Sequence, residues 1–99
     1  MVTSRYAELV TPRKFVIKEE TLEPNANQLL IRITHCGLCQ YDISYFKGIV
    51  GTTPMSIGHE PVGVVEMVGR NVKGFAPGDR VTGLYAYLRS FATYGLAEP

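Results

Sequence analysis

The sequence QLLIRITHCGLCQYD, residues 28–42, changes its pattern halfway along. In its first half the apolar residues Leu29, Ile31 and Ile33 occupy alternate positions, and a period of two predicts a half-buried strand. The other face of this strand would carry Leu30, Arg32 and Thr34. Beyond the strand, residues 41–48 predict two turns of helix that end at a glycine in the left-handed conformation. We therefore expect a strand that leads, through a short loop, into a short helix.

The rest of the chain is divided into short segments by glycines and prolines, as is typical of all-β domains. Apolar and β-branched runs predict further strands at residues 4–10, 14–18, 62–68, 80–87 and 91–96, with turns at residues 11–13 and 71–78. The expected fold is mainly β, a small barrel or sandwich of about five to seven strands with one short helix.

Length and composition restrict the class of protein. Ninety-nine residues support a single domain, residues 1–99, with one core. Because 45% of the residues are apolar and 19% are charged, the chain does not have the composition of a disordered protein. The net charge of +1 provides no concentrated positive field, so neither nucleic acid nor a membrane surface is an expected partner. The sequence shows neither a membrane span nor a signal peptide, and a cytoplasmic location is expected.

Three residues supply the donor types that zinc prefers. Cys39, His59 and Glu60 provide a thiolate, an imidazole and a carboxylate, and a catalytic zinc site uses three protein ligands while one position stays open. Each residue also has a simpler interpretation. Cys36 and Cys39 can be two small buried side chains, and His59 can be a structural histidine. A redox dithiol formed by the two cysteines would normally begin a helix within a βαβ pattern, which this sequence does not show.

Several motifs follow one another in a fixed order: CGLCQYD at residues 36–42, Gly-His-Glu at residues 58–60 and Gly-Asp-Arg-Val at residues 78–81. With this order and spacing the chain resembles the amino-terminal domain of the medium-chain, zinc-dependent alcohol dehydrogenases, most clearly over residues 28–81. The resemblance implies a GroES-like fold, which is a small distorted β-barrel with one short helix, and it implies no Rossmann cofactor domain in these residues. The chain would then be a fragment of a longer two-domain enzyme and inactive on its own.

The resemblance also implies a reaction and its cofactors. The family oxidises an alcohol or polyol, or reduces the carbonyl, by hydride transfer involving NAD or NADP bound by another domain. Its single catalytic zinc is a Lewis acid that lowers the pKa of the alcohol. Cys39 and His59 match family zinc ligands, and Glu60 matches a carboxylate that lies beside the metal and coordinates it in some members. Cys36 matches no ligand.

Two further residues match catalytic positions of the family. Asp42 matches an acid that orients the imidazole ligand through a hydrogen bond, and Tyr41 stands where the family relays the proton of the alcohol. An acid at Asp42 would also be favourable in the first turn of a helix without any catalytic role. The remaining family zinc ligand falls beyond residue 99, so these residues alone are expected to bind zinc weakly.

Departures from the family pattern leave alternatives open. Most relatives have a small hydroxyl residue where this chain has Tyr41, and a tyrosine before the aspartate resembles the zinc-free quinone and enoyl reductase branch. Residues 82–99 contain no cysteine, so the structural zinc of many relatives is not expected. A second alternative is a stand-alone, non-catalytic binding or assembly module of the same fold. The surface that would face a cofactor domain would be exposed and partly apolar, which would allow a homo-oligomer to form.

Overall fold

A computed structural model describes residues 1–38, 40–82 and 90–99. Within these residues, seven strands and one helix are arranged around two antiparallel sheets. The strands are β1 (Val2–Thr11), β2 (Lys14–Leu22), β3 (Leu29–Cys36), β4 (Met55–Ser56), β5 (Pro61–Val68), β6 (Arg80–Thr82) and β7 (Tyr94–Ala97), and the helix is α1 (Gln40–Lys47). The first sheet has the order β2-β1-β4, and the second has the order β6-β5-β3-β7.

The segment of residues 91–93 joins the two sheets. The Ala7 N–H donates to Phe91 O, and the Thr93 N–H donates to Arg5 O, both at 2.9 Å, which attaches the segment to β1. On its other side the Ile33 N–H of β3 donates to Thr93 O, also at 2.9 Å. The sheets are therefore connected through backbone hydrogen bonds, and the predicted mainly β fold, a small distorted barrel with one short helix, is confirmed.

The first sheet consists mostly of a long hairpin. β1 and β2 pair from Val2 opposite Leu22 to Thr11 opposite Lys14, so both strands are longer than predicted. The extension was missed because residues 19–21 of β2 are polar and carry no apolar alternation. At the turn Arg13 has a φ of 67°, a left-handed conformation that lets the chain reverse between the strands.

The core of the second sheet is formed by Leu29, Ile31 and Val65. Leu29 and Ile31 come from the predicted apolar face of β3. The prediction was incomplete for Leu30, which was placed on the opposite, more polar face but has no exposed surface. Its cross-strand neighbours are Met67 of β5 and Leu96 of β7, both apolar, so the other face of the sheet is also apolar at this end of β3.

Helix α1 ends as predicted at Gly48, which has a φ of 79°. The Gly48 N–H donates to Tyr45 O at 3.0 Å and closes the last turn. The hairpin turn lies against this end of the helix. The Arg13 N–H donates to Phe46 O at 2.6 Å, and the rings of Phe15 and Phe46 stack with their centroids 5.6 Å apart. The β1–β2 hairpin therefore supports the carboxyl end of α1.

Other elements differ from the sequence prediction in their extent. β7 begins at Tyr94 rather than at residue 91, because residues 91–93 bond to both sheets instead of continuing one strand. β4 was not predicted, since two residues are too few to show a period. Of the strand predicted at residues 80–87, Arg80–Thr82 is present, and residues 83–87 lie outside the described residues. In the part of the chain that the structure describes, no helix has the length and apolar character needed to cross a membrane.

Candidate metal and catalytic site

His59 is held in place by the glycine that precedes it. Gly58 has a φ of 104°, and a β-carbon at this position would lie 2.7 Å from the backbone nitrogen of Phe91. The Ser90 N–H also donates to Gly58 O at 3.1 Å. Only glycine allows this conformation and this close approach, and the result is that His59 is 7% exposed. The Gly-His pair of the motif is thus explained by packing against residues 90–91.

Asp42 lies next to the imidazole of His59. It is in the first turn of α1 and is 1% exposed, and its Oδ1 lies 3.5 Å from His59 Nδ1. This separation is longer than that of an ordinary hydrogen bond. Both groups are buried, however, and electrostatic interactions are stronger in the protein interior than in water. The buried carboxylate thus lies on the Nδ1 side of the imidazole ring.

The loop before the helix is tied to the start of β5. Cys36 pairs with Pro61 across the two strands, and the Gly37 N–H donates to Glu60 O at 2.9 Å. This hydrogen bond continues the β3–β5 ladder one residue past the end of β3. The loop that leads to α1 therefore begins beside Glu60.

The predicted site residues have different surroundings. Asp42 and His59 are brought together, and Glu60 is partly buried beside Gly37. Tyr41 is 66% exposed on α1. Cys39 lies outside the described residues. Among residues 1–38, 40–82 and 90–99, no three His, Cys, Asp or Glu side chains form a cluster that could hold a metal ion.

Two glycines that sequence reasoning did not single out contribute to the site. Gly58 fixes the backbone before His59, and Gly37 contacts Glu60. The position of Gly58 directly before the histidine was a usable signal, because a glycine beside a chemically active residue often marks a special backbone conformation. The contact of Gly37 with Glu60 joins residues that are far apart in the sequence, and no local pattern indicates it.

An apolar pocket of about 180 Å³ opens on the second sheet. Its walls include Ile31, Ile33 and Val81, which belong to the core or pack against it. None of the predicted site residues that the structure describes lines this pocket. The pocket reaches Pro61, the residue directly after Glu60, but the described chemically active side chains do not line it.

Comparison with known proteins identifies the family. The model of the alcohol dehydrogenase GroES-like domain matches residues 25–95. Human sorbitol dehydrogenase is 44% identical over 64 residues, which cover 60% of this chain and 18% of that protein. A putative cinnamyl alcohol dehydrogenase from rice, Oryza sativa subsp. japonica, is 38% identical over 84 residues, which cover 83% of this chain and 22% of that protein.

The fold is similar to that of a solved structure over nearly its whole length. The human synaptic vesicle membrane protein VAT-1 homolog-like protein superposes with a TM-score of 0.84 at 28% identity, covering 98% of this chain and 33% of that one. The chain spans about a fifth of the length of the curated relatives it matches. With the family model matched over most of its residues, the chain belongs to the alcohol dehydrogenase GroES-like domain family.

Proposed function

We propose that this chain is the zinc-site domain of a longer NAD(P)-dependent oxidoreductase. The enzyme would oxidise an alcohol or polyol, or reduce the carbonyl, by hydride transfer. The observation that carries the proposal is the buried contact between Asp42 and His59, with 3.5 Å between Oδ1 and Nδ1. Relatives named sorbitol dehydrogenase and cinnamyl alcohol dehydrogenase support the substrate class, since their names specify a polyol and an alcohol.

Contacts on both sides of Cys39 in the sequence support its assignment as a zinc ligand together with His59. Two residues before it, the Gly37 N–H donates to Glu60 O, and three residues after it, Asp42 contacts His59. The described residues Gly37 and Asp42, on either side of Cys39 in the sequence, therefore both contact the Gly-His-Glu segment. In this proposal the ligands that the chain contributes are Cys39 and His59, and Glu60 provides a nearby carboxylate.

The described residues fit their part of a zinc site. A buried imidazole with a carboxylate at Nδ1 is the usual arrangement behind a histidine ligand, and the metal would then be held through Nε2. Zinc, when bound, supplies a Lewis acid that favours loss of the alcohol proton near neutral pH. Asp42 would keep the ring of His59 in one orientation. Tyr41 would pass the proton of the alcohol to solvent, because its side chain is 66% exposed.

The hydride acceptor or donor would be held outside these residues. The nicotinamide of NAD or NADP requires a Gly-rich turn between a strand and a helix of a doubly wound sheet, and the described elements include no such unit. The substrate carbon would give its hydride to the nicotinamide across a cleft, one wall of which would be formed by this domain. The domain's part of the reaction is to bind the metal, orient its ligand and conduct the proton.

Metal binding by three cysteine and histidine variants tests the proposal. The metal-free chain is titrated with Co²⁺, and its visible absorption reports the coordination. Cys39→Ser and His59→Ala are each expected to weaken Co²⁺ binding by about tenfold or more, since each removes a ligand. Cys36→Ser is the matched control, because it removes a thiol three residues from Cys39 that has no assigned role in metal binding. The Co²⁺ affinity of this variant should equal that of the wild type.

The same variants in the longer enzyme link metal binding to activity. Loss of zinc and of nicotinamide-dependent alcohol oxidation in Cys39→Ser and His59→Ala, with both retained in Cys36→Ser, is the expected pattern. Unchanged Co²⁺ affinity and unchanged activity in both ligand variants would instead place the protein in the zinc-free reductase branch. That branch is the second candidate because the residue before Asp42 is Tyr41.

A further inference from the structure

Gly37 lies directly against the side chain of Glu60. A β-carbon at Gly37 would be 2.7 Å from Glu60 Oε2, 3.3 Å from its Cβ and 3.6 Å from its Cδ. The Glu60 side chain therefore runs lengthwise across the α-carbon of Gly37, from its first carbon to its carboxylate. The volume that any other residue at position 37 would fill is occupied by this side chain.

The backbone of Gly37 does not itself require glycine. Its φ lies outside the left-handed region, unlike that of Gly58. Its N–H donates to Glu60 O within an ordinary strand-like ladder, which any residue except proline can form. Glu60 is therefore the neighbour whose side chain occupies the space that a β-carbon at this position would need.

Gly63 and Gly69 provide a contrast with Gly37. A β-carbon at Gly63 would lie 2.5 Å from Arg32 O, and one at Gly69 would lie 2.5 Å from Asn25 O. These neighbours are backbone atoms of the packed sheet and its adjoining turn, and they cannot move without disturbing the fold. At Gly37 the nearest atom is the end of a flexible side chain. An alanine at position 37 would displace the Glu60 carboxylate from the loop by side-chain rotation, and its 3.3 Å contact with Glu60 Cβ would require a shift of a few tenths of an ångström.

We propose that Gly37 is a positioning residue for the metal site. By leaving space beside its α-carbon, it keeps the Glu60 carboxylate against the loop that leads to Cys39. This inference rests on the proposed function. A carboxylate held near the proposed ligands would add negative charge where a divalent cation binds, and it would raise the affinity without having to be one of the ligands. Gly37 would act only through Glu60.

Co²⁺ titration of four forms of the metal-free chain tests the proposal: wild type, Gly37→Ala, Glu60→Gln and the double variant. Gly37→Ala and Glu60→Gln are each expected to weaken Co²⁺ binding by about tenfold, the lower end of the range for residues that support metal ligands. The double variant should bind as Glu60→Gln does, because an uncharged amide at position 60 leaves no charge to position. The visible spectrum of bound Co²⁺ should shift in Gly37→Ala and in Glu60→Gln alike.

Urea unfolding of the metal-free forms separates positioning from folding. Gly37→Ala should unfold at nearly the same urea concentration as the wild type, whereas Gly63→Ala, the matched control with a backbone clash, should unfold at a clearly lower one. Wild-type Co²⁺ affinity in either Gly37→Ala or Glu60→Gln would overturn the inference. The inference would also be overturned if Gly37→Ala lowered the Co²⁺ affinity equally in the wild type and in the Glu60→Gln variant. The glycine would then not act through the carboxylate.

The ligand variants distinguish failure of this inference from failure of the proposed function. If Cys39→Ser and His59→Ala weaken Co²⁺ binding and Gly37→Ala does not, the proposed metal site is supported and the role proposed for Gly37 is rejected. If the two ligand variants bind Co²⁺ as the wild type does, both the proposed metal site and the role proposed for Gly37 are rejected.

Discussion

The β1–β2 hairpin and the β3–β5 pair are both long antiparallel strand pairs, but the edge strand β2 of the hairpin leaves its apolar residues far more exposed than the β3–β5 pair does. In β2 the side chains of Phe15, Val16 and Ile17 are 38%, 38% and 58% exposed. In the other pair Leu29, Leu30 and Val65 are each no more than 2% exposed. β2 lies at the edge of its three-stranded sheet, whereas β3 and β5 are the two inner strands of theirs. Position within the sheet, more than the residue types of a strand, decides which apolar residues form the core.

The two strand pairs also have different structural roles. The β3–β5 pair ends in Cys36 and Pro61, and just beyond it the loop and the Gly-His-Glu segment meet. The hairpin contributes no predicted site residue, but its turn contacts the end of α1 through Phe46. The inner pair thus positions the candidate site, and the hairpin supports the helix that carries Asp42.

Truncation of an apolar side chain in each pair should give the largest contrast. Leu30→Ala is expected to lower the free energy of unfolding by about 2–5 kcal/mol, because it leaves a cavity in a fully buried position. Ile17→Ala on the hairpin should change it by no more than about 0.5 kcal/mol. Urea denaturation of both variants measures the difference. Equal losses would show that the hairpin is packed as tightly as the inner strands.

Replacing a glycine of left-handed conformation near the site by alanine should lower the free energy of unfolding by an intermediate amount. Gly58→Ala is expected to cost about 2–3 kcal/mol, since strain at a φ of 104° is combined with a clash against the Phe91 nitrogen. Gly74 is the matched control, because its φ is 86° and no atom lies within 4 Å of its added β-carbon. Gly74→Ala should cost only the strain, about 1 kcal/mol. Similar losses in the two variants, measured by urea unfolding, would mean that the packing of residues 90–91 does not constrain Gly58.

The smallest expected effect is electrostatic and lies on the hairpin. The hydrogen bond from Lys18 to Glu8, and then the charge of Glu8, raise the pKa of Lys18 above 10.5. The Nζ–Oε1 distance is 2.8 Å, and the lysine side chain is about half exposed, so salt should screen the pair. A raised pKa in the folded state means that the stabilisation is complete below pH 10.5 and is lost as the pH rises through the folded-state pKa.

The pH dependence of this pair can be checked with one variant. The stability difference between wild type and Glu8→Gln should be constant near neutral pH, shrink above about pH 10.5 and be reduced by added salt. A difference that grows with pH would contradict the assigned direction of the pKa shift.

Much of the fold was accessible from local sequence patterns. Alternation in β3, the helix after it and the glycine at residue 48 were all predicted, because each depends on residues close together in the sequence. The burial of Leu30 was not, since it depends on Met67 and Leu96 of neighbouring strands. β4 was also missed, because its two residues form a strand only by pairing with β1.

The candidate site was predicted from residue types and a family resemblance rather than from local patterns, and it was predicted less completely than the fold. The residue types at positions 39, 59 and 60, together with the family resemblance, suggested zinc, and the structure brings Asp42 to His59. The roles of Cys39, Glu60 and Tyr41 stay predictions. The contact of Gly37 with Glu60 was beyond sequence reasoning, because the absence of a side chain leaves no pattern to detect.

The hairpin turn at Pro12 and Arg13 is exposed and would be an obvious place to insert a tag or a reporter sequence. The Arg13 N–H, however, supplies a donor to Phe46 O, one of the last carbonyls of α1, which lack partners within a helix. Pro12 also packs where a side chain at position 48 would stand, with its Cγ 2.8 Å from that place. A protein engineer who lengthens this turn would therefore uncap a helix more than thirty residues away in the sequence, and with it the support of the aspartate behind His59.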